Sequence, residues 1–163
     1  MEFEAAYKEH YAAIYRYCYR LLGSGEMARD LTQETFMRLL VTSRQGQDPE
    51  NPAAWLYRVA SNLCLSHLSQ TRRHTNLLQT KTANSQNVGE PDRQYERQEL
   101  IGRIRAAIAQ LSPRDQVMLN LYQDKRSYDE IAEIIGVRRS SVGTLLSRAL
   151  GQLRRPEITG VKP

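Results

Sequence analysis

Apolar side chains recur along the chain with the period of an α-helix. Spacings of three and four residues bring side chains onto one helix face. The first such series is Phe3, Tyr7, Tyr11, Ile14, Cys18 and Leu21. The same period predicts further helices at about residues 26–43, 51–69, 97–111, 113–122, 128–135 and 140–155. We therefore expect an all-α fold.

Local signals for helix ends agree with this pattern. Asn51 and Ser112 each precede a proline, which is typical of an N-cap followed by the first helical residue. Ser127 followed by Glu130 has the form of a capping box, and Gly136 stands where a left-handed residue would end that helix. A short helix, a glycine turn and a longer helix together predict a helix-turn-helix that starts at Ser127.

The longer helix of this motif has two unlike faces. The apolar face is Val142, Leu145, Leu146, Ala149 and Leu153. The polar face is Ser141, Thr144, Arg148, Gln152 and Arg155. Every charge from residue 138 to residue 155 is positive, whereas the preceding helix carries only acidic charges. This segregation favours a helix that enters the major groove of DNA. The alternative is an ordinary helical hairpin with a solvated basic face.

A polar segment separates the helix-turn-helix from the N-terminal half. Residues 71–95 are rich in Asn, Gln, Thr and Ser, so they lack the apolar content that a core requires. We expect two small helical domains, residues 1–73 and 96–158, that move independently on a flexible linker at residues 74–95. The polar segment 71–95, of about 25 residues, could extend to roughly 80 Å.

Composition narrows the function further. A net charge of +5 over 163 residues favours a polyanionic partner. Two distant cysteines, Cys18 and Cys64, suit a reducing compartment, and no apolar run approaches the length of a membrane span. No catalytic motif stands out, and Cys64 with His67 makes at most half of a metal site. We therefore expect a cytoplasmic protein without enzymatic activity, cofactor, metal or direct membrane insertion.

Three sequence blocks also match a known family. They are DLTQETFMRLL (30–40), NPAAWLYRVASNLCLSHL (51–68) and LSPRDQVMLNLYQDKRSYDEIAEIIGVRRSSVGTLLSRALGQLRR (111–155). In this order and spacing they resemble a bacterial RNA polymerase sigma factor of the extracytoplasmic-function (ECF) type, within the sigma-70 family. The resemblance covers both expected domains and skips the linker.

The resemblance implies a role for each block. The first matches the segment that binds the clamp helices of the polymerase β′ subunit, with candidates Asp30, Gln33, Glu34 and Arg38. The second matches the region that opens and reads the −10 promoter element, with candidates Arg58, Asn62, Ser66, Arg72 and Arg73. In that region an amide side chain could hydrogen-bond to the edge of a base extruded from the duplex. Arginines could contact the backbone of the single strand. The third matches the −35 reader, with candidates Arg138, Arg139, Ser141, Thr144 and Arg148.

Several positions depart from the family pattern. The family commonly has an acidic residue where Ser66 stands and a basic one near Ser69, and it often has Lys and Arg at the positions of Gly143 and Leu145. The five candidates on and just before the second helix of the motif would then make more of the contacts with the −35 element. We interpret Trp55 as a core anchor rather than a wedge that stacks on bases.

The implied partners are core RNA polymerase, through its β′ clamp helices and β flap, and promoter DNA. An anti-sigma factor, in this family often membrane-bound, is also implied. Two other functions stay open. A stand-alone helix-turn-helix regulator would bind an operator as a dimer, and a helical adaptor would bind proteins without touching DNA.

Overall fold

The described part of the chain, residues 1–78 and 93–154 of the computed structural model, is built from α-helices. The helices are α1 (Phe3–Leu22), α2 (Gly25–Arg44), α3 (Pro52–Leu78), α4 (Arg93–Gln110), α5 (Pro113–Gln123), α6 (Tyr128–Ile135) and α7 (Arg139–Leu153). These two ranges contain no strand, and the expected all-α fold is confirmed. None of the described helices combines the length and the apolar character needed to cross a membrane.

Helices α1, α2 and α3 form an N-terminal bundle around a buried core. The core is Ile14, Tyr17, Cys18, Phe36, Leu39, Leu56, Ala60 and Cys64. The hydroxyl groups of Tyr17 and Ser61 form a hydrogen bond at 2.6 Å, which satisfies the polar end of a buried ring. Gly23, with a φ of 67°, ends α1, and Ser24 caps α2 by accepting from the Met27 N–H.

Helices α5, α6 and α7 contain the helix-turn-helix that the sequence predicted. The Glu130 N–H donates to the Ser127 hydroxyl at 3.2 Å, and the Ser127 N–H donates to the Glu130 carboxylate at 3.0 Å. Gly136 ends α6 with a φ of 71°. Asn51 and Ser112 accept the expected capping bonds at 3.0 and 3.2 Å. The caps that the sequence predicted are therefore confirmed.

Two helices near the expected linker are longer than predicted. Helix α3 continues to Leu78 rather than ending near Ser69, and α4 begins at Arg93. Residues 74–78 and 93–95 of the expected linker are therefore helical, while residues 79–92 lie outside the described part of the chain. Helical spacing in this polar stretch is too weak to reveal the extra turns.

Helix α4 leaves most of its apolar face exposed. We expected a core of Leu100, Ile104, Ile108 and Leu111 there, but Leu100 is 54% exposed and Ile104 is 46% exposed. Ile108 is half-buried, and only Leu111, just after the helix, is buried as expected. The expectation was wrong for Leu100 and Ile104 because spacing identifies an apolar face but not the partner that covers it.

The N-terminal bundle and the helix-turn-helix half pack directly against each other. Helix α5 lies against α1 and α3, and α6 lies against α3. The buried residues of both halves consequently form one continuous cluster. The sequence predicted two helical units but gave no sign of this contact between them.

We expect Ser127→Ala to lower the free energy of unfolding by about 1 kcal/mol, because α6 loses its N-cap hydrogen bond. Urea denaturation followed by circular dichroism measures the change. Ser147→Ala, at an exposed position inside α7, is the matched control and should be neutral or slightly stabilising. Equal losses in the two variants would contradict a capping role.

Candidate nucleic-acid and polymerase interfaces

The solvent side of α7 carries the residues predicted to read the −35 element. Arg138 is the N-cap of the helix, and Arg139, Thr144 and Arg148 are exposed, while Ser141 is half-buried. The opposite side of α7 is buried in the core of the helix-turn-helix. Arg138, Arg139, Thr144 and Arg148 are therefore open to solvent, and Ser141 is partly so.

One of these cations is already paired within the motif. The Arg139 Nε lies 3.0 Å from the Asp129 Oδ1 on α6. Both side chains are largely exposed, so the pair is worth less than about 1 kcal/mol and a phosphate can displace the carboxylate. Arg138 and Arg148 form no ion pair with any residue in the ranges 1–78 and 93–154.

Gly143 and Leu145, the two positions on α7 that depart from the family pattern, differ in their surroundings. Leu145 is half-buried and packs against the core, so it belongs to the apolar face. A Cβ at Gly143 would lie 3.8 Å from the ring of Tyr128 on α6, which is an ordinary contact distance. Available space therefore does not require glycine at this position, and the structure offers no other reason for it.

The −10 candidates lie along one side of α3. Arg58, Asn62, Ser66 and Arg73 follow one another at spacings of four, four and seven residues, which keeps them on one helix face. They cover about 22 Å of helix length, at roughly 1.5 Å per residue. Asn62, Ser66, Arg72 and Arg73 are exposed, and Arg58 is half-buried.

Two of these candidates contact the other half of the molecule. The Arg58 Nη1 lies 2.5 Å from the Glu133 Oε1 on α6. The Arg72 Nη1 donates to the backbone carbonyl of Leu111 at 3.2 Å. The surface predicted to meet the −10 element is therefore partly engaged by the helix-turn-helix half, which the sequence did not indicate.

A polar network around Asp124 joins the two halves deeper in their interface. The Asp124 carboxylate pairs with the Arg20 guanidinium of α1 and accepts the Tyr57 hydroxyl of α3 at 2.9 Å. The Arg20 Nε also donates to the Asn120 side-chain oxygen at 3.1 Å, and the Arg126 guanidinium lies 4.8 Å from the Tyr57 ring centre. Burial, with Asp124 beside it, raises the pKa of Tyr57 to about 12, so this hydroxyl stays a donor at neutral pH.

The predicted polymerase contacts are exposed on α2. They are Asp30, Gln33, Glu34 and Arg38. Glu34 and Arg38 pair at 2.8 Å. Beside them Met37 is 56% exposed and Val41 is 50% exposed, and neither was predicted as a contact. Five apolar residues among the six positions 36–41 were the available signal, because one helix face cannot bury them all.

Trp55 and the two cysteines belong to the N-terminal core. Trp55 packs half-buried against that core, which agrees with its interpretation as an anchor. Cys18 and Cys64 are fully buried thiols that form no disulfide. A hydrogen bond from Cys64 lowers the pKa of Cys18. Within the described ranges, no group of three or more side chains is arranged to hold a metal ion.

Comparison with known protein families accounts for both halves. The model of sigma-70 region 2 matches residues 6–74, and the model of sigma-70 region 4 matches residues 101–153. The first match covers the bundle that presents α2 and α3, and the second covers the helix-turn-helix with most of α4. The molecule is thus a protein of the sigma-70 class, built from regions 2 and 4.

Individual relatives show the group within the sigma-70 class to which the chain belongs. The ECF RNA polymerase sigma factor SigW of Bacillus subtilis is 30% identical over 152 residues, covering 87% of this chain and 81% of SigW. The ECF RNA polymerase sigma factor SigL of Mycobacterium tuberculosis is 30% identical over 154 residues, covering 92% of this chain and 85% of SigL. The chain belongs to the ECF RNA polymerase sigma factors.

Two further comparisons concern length and fold. The ECF sigma factor SigE of Mycolicibacterium smegmatis is 31% identical over 152 residues, and the match spans 90% of this chain but 58% of SigE. The sigma factor RpoE of Bartonella quintana, in its co-crystal structure with the anti-sigma factor NepR, has a TM-score of 0.66 over 99% of both chains. At 20% sequence identity this is a likeness of fold.

We expect Arg148→Ala to weaken binding of the chain to duplex DNA and to reduce the dependence of affinity on salt by about one phosphate contact. Arg139→Ala should have a smaller effect, because DNA must first displace Asp129 from Arg139. Fluorescence anisotropy with a mixed-sequence duplex at several salt concentrations measures both.

Arg103→Ala is the charge-matched control for these variants. Arg103 is an exposed arginine on α4, outside the candidate surface of α7, and it pairs with Glu99 at 2.6 Å. If Arg103→Ala weakens duplex binding as much as Arg148→Ala, the effect reflects net charge rather than the α7 surface.

Proposed function

We propose that the chain binds core RNA polymerase and directs promoter-specific transcription initiation. In this proposal α2 binds the β′ clamp helices, α3 opens and reads the −10 element, and α7 reads the −35 element. The observation that carries the proposal is that one chain presents two separate candidate DNA surfaces, a row of amide and cationic side chains on α3 and a basic face on α7. A stand-alone helix-turn-helix regulator would account only for the second surface.

The partners and the compartment follow from the same proposal. Besides polymerase and promoter DNA, we propose an anti-sigma factor as a partner, since the solved sigma factor of similar fold is bound to one. The exposed apolar side chains Leu100, Ile101 and Ile104 of α4 offer a surface that a protein partner, such as the β flap, could cover. The chain would act in the cytoplasm and would carry out no catalysis of its own.

Run-off transcription tests the proposed function. Purified core polymerase with this chain should initiate at discrete sites on a genomic promoter library, and core polymerase alone should not. A chain that neither co-purifies with core polymerase nor directs initiation at any promoter would rule the proposal out.

We expect Asn62→Ala to impair promoter opening more than promoter binding, because an extruded base loses a partner for its edge. Duplex affinity of the holoenzyme should stay nearly unchanged, while permanganate reactivity of melted thymines falls. A template with a pre-melted −10 bubble should recover most of the activity.

Gln110→Ala is the control for this change, since it removes an exposed amide from α4 rather than from α3. It should leave opening intact. Equal losses for Asn62→Ala on duplex and bubble templates would assign Asn62 to folding or to general DNA affinity instead.

We expect Met37→Asp to weaken binding to core polymerase at least about tenfold, because it places a charge in the apolar part of the α2 surface. A buried apolar side chain contributes about 1.5–3 kcal/mol at an interface, and each 1.4 kcal/mol is tenfold in affinity. Ala12→Asp adds the same charge at an exposed position of α1 and serves as the control. Unchanged affinity for Met37→Asp in pull-down titrations would remove Met37 from the polymerase contact.

A further inference from the structure

A cavity, here called the α4 cavity, lies where the C-terminal end of α1 meets helices α4 and α5. Its volume of about 450 Å³ falls within the range of roughly 300–1,000 Å³ that is usual for small-molecule sites. One turn of a helix about 10 Å across already takes roughly 420 Å³. The α4 cavity therefore has room for a small molecule but not for a partner helix of several turns.

Aliphatic side chains from all three helices form the walls of the α4 cavity. They are Leu21, Leu22, Ile101, Ile104, Ile108 and Leu119. Ile101 is 40% exposed and Ile104 is 46% exposed, so the described part of the chain leaves both only partly covered. Removing such apolar surface from water is favourable. The walls therefore favour a ligand with an aliphatic body.

The buried amide side chains that line the α4 cavity are already bonded within the protein. The Gln116 Nε2 donates to the Leu111 carbonyl at 3.0 Å, and the Asn120 Nδ2 donates to the Gln116 carbonyl at 2.9 Å. The Arg20 guanidinium, which also lines the cavity, is held by the Asn120 oxygen and by the Asp124 carboxylate. These bonds fix the shape of this part of the cavity, and Asp124 offsets the charge of Arg20.

Arg105 supplies the charge at the α4 cavity that the protein does not offset. It is exposed, and it forms no ion pair with any residue in the ranges 1–78 and 93–154. No aspartate or glutamate is among the described residues that line the cavity. A guanidinium can bind a carboxylate through two parallel N–H bonds. One unpaired cation matches the single charge of a carboxylate better than that of a phosphate monoester, which carries about −1.5 to −2 at neutral pH.

We propose that the α4 cavity binds a small amphiphilic carboxylate, of the class of medium-chain fatty acids, with its chain between α1, α4 and α5 and its carboxylate on Arg105. The ligand would cover Ile101 and Ile104, which the protein itself leaves partly exposed. It would therefore compete with a protein partner for these two side chains of α4. Binding of the ligand to the free chain does not depend on the proposed role in transcription.

A series of fatty acids tests the aliphatic walls. The full chain is titrated in a calorimeter with hexanoate, octanoate and decanoate, each below the concentration at which it forms micelles. Affinity should rise roughly fourfold for each added methylene until the cavity is full, because burying one methylene contributes about 0.8 kcal/mol. Amide chemical shifts should change around Gly23 and in α4 and α5. Affinity that is independent of chain length, or shift changes centred elsewhere, would overturn the proposal.

Removal of the cation tests the contact with the carboxylate. Arg105→Gln should weaken decanoate binding about two- to fivefold, as is usual for an exposed ion pair, and should leave binding of the uncharged decanol nearly unchanged. Arg103→Gln removes the same charge from α4 at a position that does not line the cavity, and it is the control. Equal losses in the two variants would show a response to net charge alone and would remove the carboxylate from Arg105.

A larger side chain in the cavity tests where the ligand's chain lies. Ala109 lines the α4 cavity from an exposed position, so Ala109→Phe fills part of the space without changing a buried residue. It should weaken binding of decanoate and of decanol tenfold or more, because the ring takes the room of several methylenes. Ala106→Phe, at an exposed position of α4 outside the cavity, is the control. Circular dichroism verifies that both variants stay helical, and equal losses in the two would contradict the site.

Co-purification with core polymerase separates this proposal from a docking site for a protein. If Ala109→Phe weakens co-purification while none of the three fatty acids binds saturably, the cavity serves a protein partner and the proposal is overturned. A chain that binds decanoate as expected but never directs initiation loses the proposed function and keeps the ligand site.

Discussion

The position of α5 between the two halves is the constraint on which the whole arrangement depends. Val117, Met118 and Leu121 are fully buried, and α5 packs against α1 and α3 as well as against α6 and α7. Asn120 and Asp124, one helical turn apart, turn towards the N-terminal bundle and meet Arg20. The contact between the halves therefore combines one continuous cluster of buried apolar residues with a polar network around Asp124.

Features set by a few neighbouring residues could be predicted from the sequence. The capping box of Ser127 and Glu130 and the left-handed Gly136 depend on groups within one helical turn, so their residue types suffice to reveal them. The exposure of Leu100 and Met37 could not be predicted, because it depends on which distant element covers each apolar face. Periodicity identifies the face, but tertiary packing decides whether it is buried.

The candidate site likewise has features that local spacing reveals and a contact that depends on tertiary packing. Helical spacing was enough to predict that Arg148 and Thr144 lie opposite the core of α7, while their assigned role came from the family resemblance. The pairing of Arg58 with Glu133 joins residues 75 positions apart, and no local pattern encodes such a contact. The acidic character of α6 was visible in the sequence, but its partner in the other half was not.

Helix α6 engages both candidate DNA surfaces with its acidic side chains. Asp129 pairs with Arg139 at the −35 surface, and Glu133 pairs with Arg58 at the −10 surface. Both pairs are well exposed to solvent, so salt screens them and each contributes little on its own. Asp124 differs because its carboxylate is mostly buried and its partners lie across the interface. The exposed pairs can therefore affect which cations are free to meet DNA, whereas Asp124 helps to join the two halves beside the apolar cluster that they share.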